Sequence, residues 1–320
     1  MTSSRTIASA LSLVAGTILA GSPPLAAAET GAAPARIGLA IEPDPAQAGR
    51  PATLALEITD PERRPLDLLT HHARKAHVVI VGADMATFGH IHPEDFVPED
   101  VAPAGAAVLD DGTARLRFAF PHGGRYLVAV DVATDEGPHG ETFVVDVEGE
   151  SRGRSRTDAD EPRLAVVEAQ GGDAYTGVVA LDDTARRDGY AVSVTGPELV
   201  GAGEPTVFSW RFERDGAPLT ALRTFLDAPL HLALVAEDLS RFMHEHGEVP
   251  DAAGSVHGHG HEAGRHDEHG HAGSHGASAK SFGPEIQARL TFPEPGRYVV
   301  FAQAAHGENL LVVRSRVHVR

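Results

Sequence analysis

The sequence predicts an all-β chain folded as two tandem antiparallel sandwiches, and three observations carry that expectation. Short runs of strand-forming residues recur along the chain, punctuated by Pro, Gly and Asp, and no stretch has the period of an amphipathic helix. Four motifs return in the same order in residues 36–147 and 190–319. The length of 320 residues is right for two domains rather than one.

The strand candidates of the first half are, in order, "RIGLAI", "ATLALEI", "HVVIVG", "ARLRFAF", "RYLVAVDV" and "TFVVDV". Six or seven short strands in about 110 residues suit an immunoglobulin-like sandwich, with a small barrel as the alternative. The repeats link the halves. "AGRPATLAL" from Ala48 matches "AGEPTVFSW" from Ala202, and "HVVIVGADMATFGHIHPE" from His77 matches "HLALVAEDLSRFMHEHGE" from His231, both at an offset of 154. "FPHGGRYLVAV" from Phe120 matches "FPEPGRYVVFA" from Phe292 at 172, and "HGETFVVDV" from His139 matches "HGENLLVV" from His306 at 167.

The organisation that follows is a signal peptide over residues 1–28, a first sandwich over 36–148, a linker over 149–162 and a second sandwich over 163–320. The signal rests on Arg5, the apolar run "TIASALSLVAGTILAG" and the Ala26–Ala28 cleavage pattern. No later segment is apolar enough to span a membrane. The runs in 163–183 flank a Gly-Gly pair and read as a hairpin attached to the second sandwich. Residues 252–280 form a low-complexity His-rich insertion in the second sandwich, expected to be disordered without metal.

Composition narrows the function. The chain has no cysteine, which excludes disulfides, thiolate metal sites and Cys nucleophiles. A net charge of −18 argues against nucleic acid and anionic membranes and favours attraction of cations. With the signal peptide, this points to a periplasmic or secreted protein.

Nineteen histidines raise the question of metal. His77, His90 and His92 in the first repeat recur as His231, His244 and His246 in the second, with the same spacing. Across the twenty residues starting at Ala76 and Leu230 only seven positions are identical, and three of these are the histidines. Two residues apart on a strand point to one face. A hairpin turning at Asp84–Met85 sets His77 opposite His92, and one turning at Asp238–Leu239 does the same for His231 and His246. Opposed residues have Cβ atoms about 4.5–5.5 Å apart, within reach of one ion bound at about 2.0–2.1 Å per nitrogen. His139 and His306, each in a "HGE" tripeptide, are candidate fourth ligands, with Glu141 and Glu308 beside them. His71, His72, His122 and His318 have no counterpart and read as surface residues.

The insertion adds His257, His259, His261, His266, His269, His271 and His275, with Glu262, Asp267 and Glu268. Such a tract binds late first-row divalent ions without fixed geometry. Beyond the start residue only Met85 and Met243 could supply a soft ligand, so Cu(II) or Zn(II) is expected rather than Cu(I). Binding needs neutral imidazoles, so affinity should fall as pH drops through about 6.5.

At "ADMATFGHIHPEDF", "EDLSRFMHEHGE", "FPHGGRYLVAV" and "FPEPGRYVVFA" the chain resembles bacterial exported proteins with small immunoglobulin-like modules of the YtkA-like and CopC-like kind. That resemblance implies a β-sandwich outside the cytoplasm and a role near copper handling. The expected function is a divalent-metal chaperone or buffer, not an enzyme, handing metal to a membrane transporter or a metalloprotein acceptor. The alternatives are an interaction or adhesion module with incidental metal binding, and a His-site metallohydrolase.

Overall fold

The computed structural model describes residues 35–96, 112–153, 162–168, 178–180, 186–197, 199–250 and 281–320. The expected signal peptide and His-rich insertion lie outside these residues. Among the described residues every extended element is a strand, with one 3-10 turn at Pro93–Phe96, so the all-β expectation holds. No helix among them is long and apolar enough to cross a membrane.

The first half contains β1 (Arg36–Glu42), β2 (Ala46–Gln47), β3 (Pro51–Thr59), β4 (Ala76–Gly82), β5 (Thr87–Ile91), β6 (Thr113–Ala119), β7 (Gly124–Thr134) and β8 (Gly137–Glu148). The second contains β9 (Arg163–Glu168), β10 (Val178–Ala180), β11 (Arg186–Arg187), β12 (Tyr190–Thr195), β13 (Thr206–Arg214) and β14 (Ala217–Pro218). It continues with β15 (Leu230–Ala236), β16 (Phe242–Gly247), β17 (Glu285–Leu290), β18 (Gly296–His306) and β19 (Asn309–Val319).

These strands make four sheets stacked as layers. The outer sheet of the first half is β1-β3-β6, and its inner sheet runs β10-β5-β4-β7-β8-β2. The inner sheet of the second half runs β16-β15-β18-β19-β9, and the outer one contains β11-β12-β13-β14 with β17 paired to β13. Three apolar cores fill the gaps. Leu54, Leu116, Val78 and Val130 lie in the core of the first sandwich. Trp210, Phe208, Leu232 and Val300 lie in that of the second. A third core joins the two inner sheets, with Val79, Val81, Phe88 and Leu127 facing Ala233, Val235, Val299 and Phe301. Phe88 and Phe301 stack there at 4.7 Å.

This explains why "HVVIVG" and "HLALVA" show no polar alternation. All residues of β4 and β15 are buried. Even-numbered side chains enter the core of their own sandwich, while Val79, Val81, Ala233 and Val235 enter the shared core. A strand covered on both faces needs apolar residues at every position. His77 and His231 belong to the interface-facing set of their strands, so both open toward the other sandwich.

The expected hairpin in 163–183 does not form. β9 pairs with β19 and β10 pairs antiparallel with β5 of the first half, so the two runs join different sheets. Gly-Gly composition suggested a local turn, but each run instead completes a sheet that had an open side.

Candidate metal centre

The hairpin turns build the histidine positions. Met85 donates its N–H to the carbonyl of Gly82 (2.9 Å) and has φ 53°; Leu239 donates to Ala236 (2.8 Å) with φ 66°. Asp84 Oδ1 accepts the N–H groups of Ala86 (3.1 Å) and Thr87 (3.0 Å), closing the first turn. The registers are those expected. Val79 pairs with His90 and Val78 with Ile91, which sets His77 across from His92; His231 pairs directly with His246.

The first triad is closed. His77, His90 and His92 are 3%, 2% and 0% exposed, so no ring is open to bulk water. Each ring donates its outward N–H to an acceptor. His77 Nε2 donates to the carbonyl of His71 (3.0 Å) and His90 Nδ1 to Gln303 Oε1 (2.8 Å). His92 Nδ1 donates to Asp95 Oδ2 (3.0 Å), an oxygen that also accepts the backbone N–H of His92 (2.9 Å). A neutral imidazole carries one N–H. The inward nitrogens, His77 Nδ1, His90 Nε2 and His92 Nε2, are therefore lone-pair donors. They converge, with His90 Nε2 3.1 Å from His77 Nδ1 and 3.2 Å from His92 Nε2.

The second triad repeats the ligands in a looser setting. His231 Nε2 donates to the carbonyl of Phe225 (2.8 Å), and its Nδ1 lies 3.5 Å from His244 Nε2. His244 Nδ1 lies 3.3 Å from Asp131 Oδ2. His246 Nε2 is buried with no hydrogen-bond partner. The counterpart of Asp95 is Val249, so no carboxylate supports His246 from that position. A cavity of about 190 Å³ borders this side, lined by Lys75, His77, Asp131, His139, His244 and His246 among others.

The triads meet across the shared interface. Ring centroids of His77 and His244 are 5.2 Å apart, those of His90 and His244 5.4 Å, and those of His90 and His231 5.7 Å. His71 and His72, expected as unrelated surface residues, lie against the second triad. His72 packs on His246 at 3.7 Å and edge-on to His231 at 5.6 Å. They occupy the turn that holds Phe225 and Leu226 in the other half, which places two imidazoles where the second sandwich has apolar side chains.

The two HGE tripeptides are not equivalent. The β7/β8 hairpin pairs Thr134 with Gly137, and the β18/β19 hairpin pairs His306 with Asn309. Both loops have two residues, so the offset of 172 persists through them and His139 corresponds to Leu311, not His306. His139 lies within β8, hydrogen-bonded to Thr134 Oγ1 (3.0 Å), on the cavity of the second triad. His306 ends β18, with Nδ1 2.7 Å from the Tyr190 hydroxyl, and belongs to neither triad group. A shared tripeptide outweighed strand register in the sequence alignment. Glu141 and Glu308 are exposed. The candidate ligands from His257 to His275 lie outside the described residues.

Burial is the main cause that lowers the pKa of His77, His90, His92, His231, His244 and His246, and neighbouring imidazoles add to it. The triads thus stay neutral below the ordinary histidine range, contrary to a midpoint near 6.5. Burial also raises Asp131 and Asp95, each to about 6.

Metal fits the first triad on the chemistry of its donors. Three lone pairs directed at one point repel one another, and a cation between them removes that repulsion. Nitrogens bound at about 2.0–2.1 Å in a tetrahedral set lie roughly 3.3 Å apart, close to the observed separations. Both triads have ligand atoms within 4.8 Å of one another. No sulfur joins them: Met85 lies in the shared apolar core and Met243 against that of the second sandwich. Asp95, Asp131 and Gln303, which sequence reading missed, supply the outer contacts.

No curated protein matches the chain. Among solved structures it is similar, at 12% identity and a TM-score of 0.22, to a Corynebacterium diphtheriae protein described as membrane anchored, covering 90% of this chain and 57% of that one. It is likewise similar, at 12% identity and a TM-score of 0.24, to a Salmonella alpha-2-macroglobulin, covering 90% of this chain and 15% of that one. A model of a domain of unknown function, DUF8832, matches residues 35–149 and 184–320, well over half of the chain. The chain belongs to the DUF8832 family.

Proposed function

We propose that this DUF8832 protein is an exported carrier or buffer of a divalent metal ion, Cu(II) or Zn(II), held by two neighbouring all-histidine sites. One observation carries the reading: the first triad points three lone pairs at one position while all three outward nitrogens are hydrogen-bonded. That pattern fixes tautomer and ring orientation for a ligand set. An all-nitrogen donor set suits Cu(II) and Zn(II) and leaves Cu(I) without a soft ligand. The His-rich insertion would raise the local concentration of the same ions, and a transporter or metalloprotein would accept them.

The test is calorimetric titration of the full chain with Cu(II) and Zn(II), in a form whose seven insertion histidines are serine. Two tight sites are expected, and their loss when His90 and His244 become alanine identifies them. Absence of tight binding in that form would overturn the reading and leave an interaction module as the better account.

The cavity beside the second triad favours a second reading, a metallohydrolase, because hydrolytic sites keep an open ligand position. Turnover of ester or phosphoester substrates that disappears with His244→Ala would support it.

A further inference from the structure

The central histidine of each triad is held from across the interface. His90 of β5 donates to Gln303 of β18 (2.8 Å), and His244 of β16 lies 3.3 Å from Asp131 of β7. Gln303 and Asp131 occupy equivalent places. Asp131 pairs with His77 on the neighbouring strand, as Gln303 pairs with His231. Each follows the interface-facing residues of its strand, Leu127 and Ala129 in one case and Val299 and Phe301 in the other. Each has a buried polar atom without a hydrogen bond, Asp131 Oδ2 and Gln303 Nε2. Gly140 pairs with Asp131, and a Cβ there would come within 2.6 Å of Asp131 Oδ1, so the glycine makes room for the carboxylate.

A buried amide and a half-buried carboxylate are costly beside an apolar interface unless they do something there. Gln303 Oε1 accepts the outward N–H of His90 in the opposite sandwich, and Asp131 Oδ2 lies at ion-pair distance, 3.3 Å, from the outward nitrogen of His244 without a hydrogen bond. Such outer contacts orient the ring, fix which nitrogen is protonated and raise its basicity, a carboxylate more than an amide.

We infer that Gln303 and Asp131 are crossed positioning residues: each sets the metal affinity of the opposite sandwich's triad, so neither sandwich carries a complete site by itself. This rests on the metal-binding reading above. The consequence is linkage. A metal bound in the first triad needs Gln303 in place, which requires the two sandwiches to be docked, and a metal in the second needs Asp131 in the same arrangement. Occupation of one site therefore favours the docked state that the other site requires.

The experiment uses the full chain, with the insertion histidines changed to serine, in two backgrounds. His246→Ala isolates the first triad, and His92→Ala isolates the second. Zn(II) is titrated against a chromophoric chelator, and Co(II) spectra report ligand geometry. Gln303→Leu should weaken the first triad by about 10–100-fold and leave the second within about twofold; Asp131→Leu should do the reverse. Gln303→Glu should restore the first site and its Co(II) bands, which a merely destabilised fold would not do. Where Gln303→Leu lowers stability, nitrogen-resolved NMR of the His90 ring in the folded fraction reads the same contact through the Nδ1 proton. Equal weakening of both triads, weakening of the residue's own triad, or no change at either would overturn the crossing while leaving metal binding intact. Failure of both backgrounds and of their parent to bind Zn(II) would instead remove the metal reading, and this inference with it.

Discussion

The two triads have the same three ligands at the same spacing, yet they sit in different surroundings. The first is almost wholly buried, with only His77 reaching the cavity, and carbonyl, amide and carboxylate oxygens hold its rings. The second is partly exposed, lacks a partner for His246 Nε2, and borders a cavity beneath a His-His turn from the other half. The two halves therefore share the donors and not the setting. A buried set of held rings suits retention of an ion, and a half-open set suits exchange.

The strongest way to break the comparison is to remove the central ligands one at a time. His90→Ala should abolish the first site and His244→Ala the second, each reducing the calorimetric stoichiometry from two to one. A parent stoichiometry of one, lost with either substitution, would show instead that the triads share a single ion.

Acid should affect the metal-free protein next. Triad histidines with lowered folded pKa values take up protons more readily in the unfolded chain, so stability is level above about pH 6.5 and falls as pH drops below it. Asp131 and Asp95, raised to about 6, act oppositely between roughly pH 4 and 6, but two carboxyls face six imidazoles. Each withheld proton is worth about 1.4 kcal/mol per pH unit. Urea midpoints measured from pH 7.5 to 5 check the sign, and a midpoint that rises on acidification would contradict it. By the same shifts, Zn(II) binding at pH 6 should remain close to that at pH 7.

Asp95→Asn sharpens the comparison, because Val249 stands at the equivalent place. It should weaken the first site by about 10–100-fold and spare the second. Chelator extraction should then be biphasic, the fast phase belonging to the second triad and disappearing in His246→Ala; a single phase in the parent protein would deny that the two sites differ in access. The smallest effect is expected for His72→Phe, a change of a few-fold confined to the second site.

Much of this was legible in the sequence. The triads could be found because same-face spacing and a turn of fixed length determine register, and the observed ladders have that register. The burial of β4 and β15 on both faces was present in their unbroken apolar runs, but those runs do not say what covers the second face. Asp131 and Gln303 were hidden for a different reason: equivalent positions held by unlike residues leave no mark in a comparison of repeats. The HGE tripeptides misled in the opposite direction, since identical letters fell at different points of the two hairpins. His71 and His72 lacked counterparts for the same reason that they matter, because they change the surroundings of one triad only.

β10 has a consequence for how the chain can be divided. β5, which carries His90, is flanked on one side by β4 and on the other by β10, a strand supplied from beyond the linker. A fragment ending near residue 150 would leave β5 as a free edge, its amides and carbonyls available to any strand that arrives. It would also bare Val79, Val81, Phe88 and Leu127, which the second sandwich covers in the whole protein. Such a fragment should self-associate rather than behave as a small soluble domain, so the apparent boundary between the repeats is a poor place to cut.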